Sequence, residues 1–224
     1  TGNNDGLASR LALPNKLVNR VFIKDPAPQT IFTTGGSKDG NNISSWRHKS
    51  GPVPDKDDIR NAYAAAYNTA GDLVIYAGAD RFDNSGDAFM GFWFFKQNVQ
   101  ALPGGTFSGL HTAGDILLLA NFSGGGTTVS IEVLQWTAAG TLQQIANVPS
   151  AACGSSGSPL VCGITNQQAG ETPAWSHLNK DGGASFQQAG FLEVGINITK
   201  LLVGAGVDTG TCFSSFMAET RSST

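Results

Sequence analysis

The chain has 224 residues, enough for one large β domain, and its 40% hydrophobic content can fill a core. Only 14% of residues are charged and the formal net charge is -3, with no basic run, so nucleic acid is excluded as the expected partner. No apolar run approaches the ~20 residues that cross a bilayer, so no membrane insertion is expected.

Residues 1–28 read as a loosely structured N-terminal arm containing one short strand, Leu17–Lys24, broken by Asp25-Pro26-Ala27-Pro28. A strand over 29–34 stops at Gly35-Gly36, and a further segment, 44–49, carries Trp46. The run GPVPDKDD forms a turn. Residues 62–67 suit a helical turn by alanine propensity or a strand by position. The small turn Asn68-Thr69-Ala70-Gly71 and the apolar run at 72–79 favour a β-hairpin, so a strand is expected. The loop DRFDNSGD leads directly into a strand over 88–96. That strand is apolar on both sides, with Phe89, Trp93 and Phe95 against Met90, Phe92 and Phe94, which predicts a central position with both faces covered. Later strands are expected at 115–122, 127–136, 141–147, 186–198 and 212–220, with a long excursion over 153–183 and one helical turn over 199–203. Short strands separated by glycine-rich turns predict a single all-β domain over 1–224. The expected architecture is an antiparallel β-sandwich of jelly-roll type with little helix.

Strand parity assigns faces. Leu192, Val194, Ile196 and Ile198 form one side of their strand, and Phe191, Glu193, Gly195 and Asn197 the other. Phe216 and Ala218 oppose Met217, Glu219 and Arg221; Val129, Ile131 and Val133 oppose Ser130, Glu132 and Trp136. Three of the four glutamates, Glu132, Glu193 and Glu219, therefore fall inside strands and away from the core, where charge is depleted. Such residues either lie on an exposed face, with Glu219 pairing to Arg221 or a neighbouring lysine, or line a carbohydrate cleft. As catalytic residues, two of them would stand about 5–5.5 Å apart, as in a retaining glycosidase. Trp46 and Trp175 lie in the polar surroundings SSWRHK and TPAWSH and, with Trp136, are the candidate sugar platforms, whereas Trp93 among phenylalanines belongs to the core.

Asp80, Asp83, Asn84 and Asp87 fall within one short turn between strands, an oxygen density that suits a structural calcium ion. The competing expectation is turn chemistry, with Asn84-Ser85-Gly86 as the bend and the aspartates accepting backbone N–H bonds. Cys153 and Cys162 flank the loop GSSGSPLV and are the expected disulfide. Cys212 is left as a buried strand thiol or as a partner to one of them. A disulfide belongs to an oxidising compartment. The abrupt ends at Thr1 and Thr224 suggest a piece of a longer multidomain protein.

The runs GADRFDNSGDAFMGFWFF, AGFLEVGINITKLL and CFSSFMAETRSS resemble a module of large bacterial cell-surface proteins that precedes prealbumin-like or Cna-B-like repeats. Glu193, Glu219, Arg221, Asn84, Gly86 and Asp87 sit in its recurring segments. The order of these elements is also similar to the sandwich plan of family 9 carbohydrate-binding modules and DOMON domains. The first resemblance implies an extracellular or cell-surface location; the second implies sugar binding and structural calcium. The expected function is an extracellular non-catalytic binding module for carbohydrate or another cell-surface polymer, with Trp46, Trp136, Trp175 and Arg221 as ligand-binding residues. The alternatives are a glycoside hydrolase or polysaccharide lyase acting through Glu193, Glu219 or Glu132, and a structural adhesin or stalk domain.

Overall fold

The computed structural model describes residues 17–25, 29–86, 88–123, 128–149, 153, 160–204 and 212–221. Among them the chain forms two five-stranded antiparallel sheets that pack face to face. The first sheet contains β1 (Leu17–Lys24), β4 (Ile59–Thr69), β5 (Asp72–Arg81), β12 (Val161–Thr165) and β13 (Phe191–Asn197), in the order β1-β4-β5-β13-β12. The second contains β6 (Ala88–Phe95), β9 (Ile116–Ser123), β10 (Thr128–Trp136), β11 (Leu142–Val148) and β14 (Ser215–Arg221), in the order β11-β10-β9-β6-β14. Two small ribbons pair β2 (Thr30–Phe32) with β3 (His48–Ser50), and β7 (Ala101–Leu102) with β8 (Thr106–Phe107).

Local chemistry explains the connections. The β4–β5 hairpin closes through Ala70 (φ 54°) and Gly71 (φ 91°), a pair of left-handed residues that matches the twist of the strands. The helix α1 (Ile198–Gly204) follows β13 directly. The Asn197 carboxamide oxygen accepts the Lys200 N–H at 3.0 Å as its cap, and Leu201 and Leu202 enter the core.

The core between the sheets follows the expected parity. Ala62, Ala64, Ala77 and Ala79 keep the first sheet's inner face small, while Met90, Phe92 and Phe94 fill the space from the second. The outer faces are covered as well. Residues 166–190 lie over the first sheet, packing Trp175 and Phe186 on Tyr63 and Phe191. Phe32, Ile43, Trp46, Val99 and Phe107 cover the second, over Trp93, Phe95 and Leu117. β6 therefore has both faces buried, as its sequence predicts.

Four segments depart from expectation. Residues 44–49 are not one strand: a 3₁₀ turn at Ile43–Ser45 precedes β3, and Trp46 turns inward between them. β12 lies inside the 153–183 excursion, where Gly163 allows close packing on Ile131 and Val194. β13 and β14 start later than expected, because Phe186 belongs to the cover and β14 begins at Ser215. The Cys153–Cys162 disulfide is present, with Cα atoms 5.0 Å apart. Cys212, expected to be buried on a strand or bridged, is an exposed free thiol just ahead of β14. No helix among the described residues is long and apolar enough to cross a membrane.

Candidate functional site

Each outer sheet face carries a buried glutamate whose contact runs across a glycine. On the second sheet, Glu219 is level with Gly91 of β6, and a Cβ at Gly91 would come within 2.8 Å of the Glu219 Cγ. Glu219 accepts a hydrogen bond from the Lys38 ammonium and lies 3.6 Å from the Arg221 guanidinium. Lys38 Nζ also lies 2.6 Å from Asp39 Oδ1, and Asp39 pairs with Arg221 and accepts the Trp93 indole N–H at 3.2 Å. Two cations and two carboxylates thus form a neutral quartet beneath the rings of Phe32 and Trp46. Lys38 is only 1% exposed, and that burial holds its ammonium below the usual lysine range despite Glu219.

On the first sheet, Tyr63, Gly78 and Glu193 share a row across β4, β5 and β13. The Tyr63 ring crosses Gly78 and its hydroxyl donates to Glu193 Oε2. In the next row Asp80 accepts two bonds from Asn61 Nδ2, at 3.1 and 3.0 Å, and one from Trp175 Nε1 at 2.7 Å; His177 Nδ1 stands 3.3 Å away. A second buried aspartate, Asp115, fixes the start of β9 by accepting from Lys96 N, Thr112 N and His111 Nδ1. The His111 ring stacks on Trp136 at 4.0 Å between centroids.

These placements correct the glutamate expectation. Glu193 and Glu219 lie on the outer faces of different sheets, each beneath its own cover. Glu132 shares a row with Glu219 through Leu119 and Gly91, but three inter-strand spacings place their backbones ~14 Å apart. Glu219 is moreover held by Lys38 and Arg221 beneath the cover, so its carboxylate is already engaged by cations. The tryptophan platforms are corrected too. Trp46 is 0% and Trp136 3% exposed, and Trp46 Nε1 is used on the Lys38 carbonyl at 2.8 Å. Trp175 is half-buried among Phe22, Tyr63, Phe186 and Phe191, and its N–H is taken by Asp80. A sandwich whose outer faces are both covered uses its indoles as plugs.

The acidic turn is divided between partners. Asp80 faces the covered side of the first sheet, whereas Asp83 accepts bonds from Lys180 Nζ at 2.9 Å and from the Ser85 hydroxyl and N–H. Burial pushes the Asp83 carboxyl up, but the Lys180 and Ser85 bonds outweigh it and hold the group below the usual carboxylate range. Lys180 also reaches Asp55 at 3.0 Å. Asn84 donates to the Gln188 carbonyl at 2.9 Å. Asp87 lies outside the described residues. Among the described residues no group of three or more histidine, cysteine or acidic side chains is arranged to hold a metal ion.

A cleft of about 630 Å³ opens beside β14. Apolar walls come from Ile23, Ile31, Phe32, Val53, Phe107 and Phe216, with Phe32 and Phe107 stacked at 5.5 Å. Lys38, Glu219 and Arg221 contribute one polar group, and Asp25, Asp57 and Asp58 another. Of the sequence candidates, the cleft gathers only Glu219 and Arg221. Lys38 was missed, because a single lysine in a polar loop carries no mark of burial. No family model, curated protein or solved structure matches this chain.

Proposed function

We propose that the protein is an extracellular, non-catalytic binding module that holds a carbohydrate or another cell-surface polymer in the cleft beside β14. The observation that carries this reading is the cleft itself, whose volume falls within the usual range of ligand sites and which joins apolar walls to a few charged groups. The disulfide and the uncharged-polar composition support an extracellular setting. Separation of the strand glutamates supports binding rather than glycoside hydrolysis.

Retention on insoluble polysaccharides and isolated cell walls tests the reading, with Thr30→Trp as the variant that fills the cleft from its exposed rim. The wild-type chain should be retained and the variant released, without liberation of reducing ends. Equal retention of both proteins would move the site elsewhere. Turnover lost on Glu193→Gln or Glu219→Gln would make the protein an enzyme.

A further inference from the structure

The charges lining the cleft are out of balance. Four carboxylates, Asp25, Asp57, Asp58 and Glu219, face two cations, Lys38 and Arg221. Both cations are engaged by Glu219 and Asp39. Asp58 accepts from Gln29 Nε2 at 3.0 Å and lies 3.4 Å from the Arg60 guanidinium. Two of these carboxylates have an oxygen without a hydrogen bond among the described residues: Glu219 Oε1, which stands 3.6 Å from the Arg221 guanidinium, and Oδ1 of Asp57, a residue that is 6% exposed and lines the cleft. A buried carboxylate oxygen without a donor is unfavourable, and a donor brought by a ligand would relieve it. Burial also raises the Asp57 carboxyl, against the pull of Lys56 and Arg81. Asp25 is pushed up to about 6 by burial and by Asp58, against the pull of Arg60. The missing complement is a cation.

The shape of the lining identifies what carries that cation. Residues 216–221 of β14 all touch the cleft. Side chains alternate across a strand, so a surface that meets successive residues runs along the strand's edge rather than over one face. Among the described residues β14 pairs only with β6, and an edge strand of this kind presents alternate N–H and C=O groups on the side that lines the cleft. Such an edge recognises an extended peptide through its backbone, with side-chain pockets supplying specificity.

We propose that the cleft takes an extended polypeptide segment as an added strand on β14. Alternate apolar side chains rest on the wall of Phe32, Phe107 and Phe216, and a lysine or arginine is set against Asp57. This rests on the cleft being the binding surface and specifies the polymer as protein.

Fluorescence anisotropy with a labelled short peptide of alternating valine and threonine and one central lysine tests the proposal. Two controls accompany it, one with glutamate replacing the lysine and one with alternate amides N-methylated. The lysine peptide should bind at least about tenfold more tightly than the glutamate peptide, and the methylated peptide should not bind. Asp57→Asn should bring the lysine and glutamate peptides close together. It should melt no lower than wild type, because it removes an uncompensated buried charge, so a folding defect will not imitate the effect. Equal binding of the lysine and glutamate peptides, undiminished binding of the methylated peptide, or no peptide binding at all would overturn the proposal. If polysaccharide is retained through the cleft while no peptide binds, this inference falls and the binding-module reading stands. If neither binds, both fall.

Discussion

At the residue scale, two glycines decide where the buried charges go. Gly91 leaves room for Glu219 to lie across β6, and Gly78 does the same for Tyr63 reaching Glu193. A methyl group at Gly91 meets a side chain held by Lys38 and Arg221, and should cost roughly 1–3 kcal/mol. At Gly78 the methyl also meets the Leu192 carbonyl oxygen at 2.7 Å, so Gly78→Ala should cost more than Gly91→Ala. Chemical denaturation of the two variants checks the order; a neutral Gly78→Ala would contradict the packing. Asp25 supplies a pH test. Its carboxyl moves from an ordinary 3.8 to about 6, so the folded state binds more protons between those values. Its contribution to stability is full below about 3.8 and is lost as pH rises through about 6. Asp25→Asn should therefore gain on wild type across that window, by on the order of 1 kcal/mol once solvent screening is allowed for. A constant difference from pH 4 to 7 would show that Asp25 does not titrate in this way. The strand glutamates and the nearness of Arg221 to Glu219 were visible in the sequence by parity, but the distant partners were not. Tyr63 and Lys38 lie 130 and 181 positions from the glutamates they meet, and no local pattern records such a pairing.

At the element scale, most strands were legible because their chemistry is local. β6 shows its two buried faces as an unbroken apolar run, and the β4–β5 hairpin shows its turn as Ala70-Gly71. β12 was not legible: VCGIT is short and interrupted by a glycine whose role appears only when Ile131 of the other sheet packs over it. The covers were illegible for a related reason. Residues 166–190 contain little regular structure, and their fit depends on Trp175, His177 and Phe186 finding Asp80 and Phe191 on the sheet. The turn after β5 yields a prediction at this scale. Lys180 holds Asp83 and Asp55 together, so a calcium ion proposed for this turn must compete with it. Lys180→Met should widen the melting-temperature difference between calcium and EDTA by leaving the carboxylates unneutralised. Identical curves in both media, for wild type and variant alike, would end the calcium proposal.

At the scale of the whole molecule, the sandwich is covered on both outer faces, and its cleft opens at a sheet edge. The covers leave Trp46, Glu193 and Glu219 buried and Trp175 half-buried, side chains that the sequence presents as candidates for sugar stacking and hydrolysis. The edge strand β14 stays half-buried, and the β2–β3 ribbon and residues 53–59 contribute to the same cleft. Hydrogen–deuterium exchange tests this placement most directly, comparing the free chain with the chain saturated by the retained polysaccharide or the lysine peptide. Binding at the β14 edge should slow exchange in residues 215–221 and 53–58 and leave residues 166–190 unchanged. Protection confined to 166–190, with β14 exchanging as in the free protein, would contradict it.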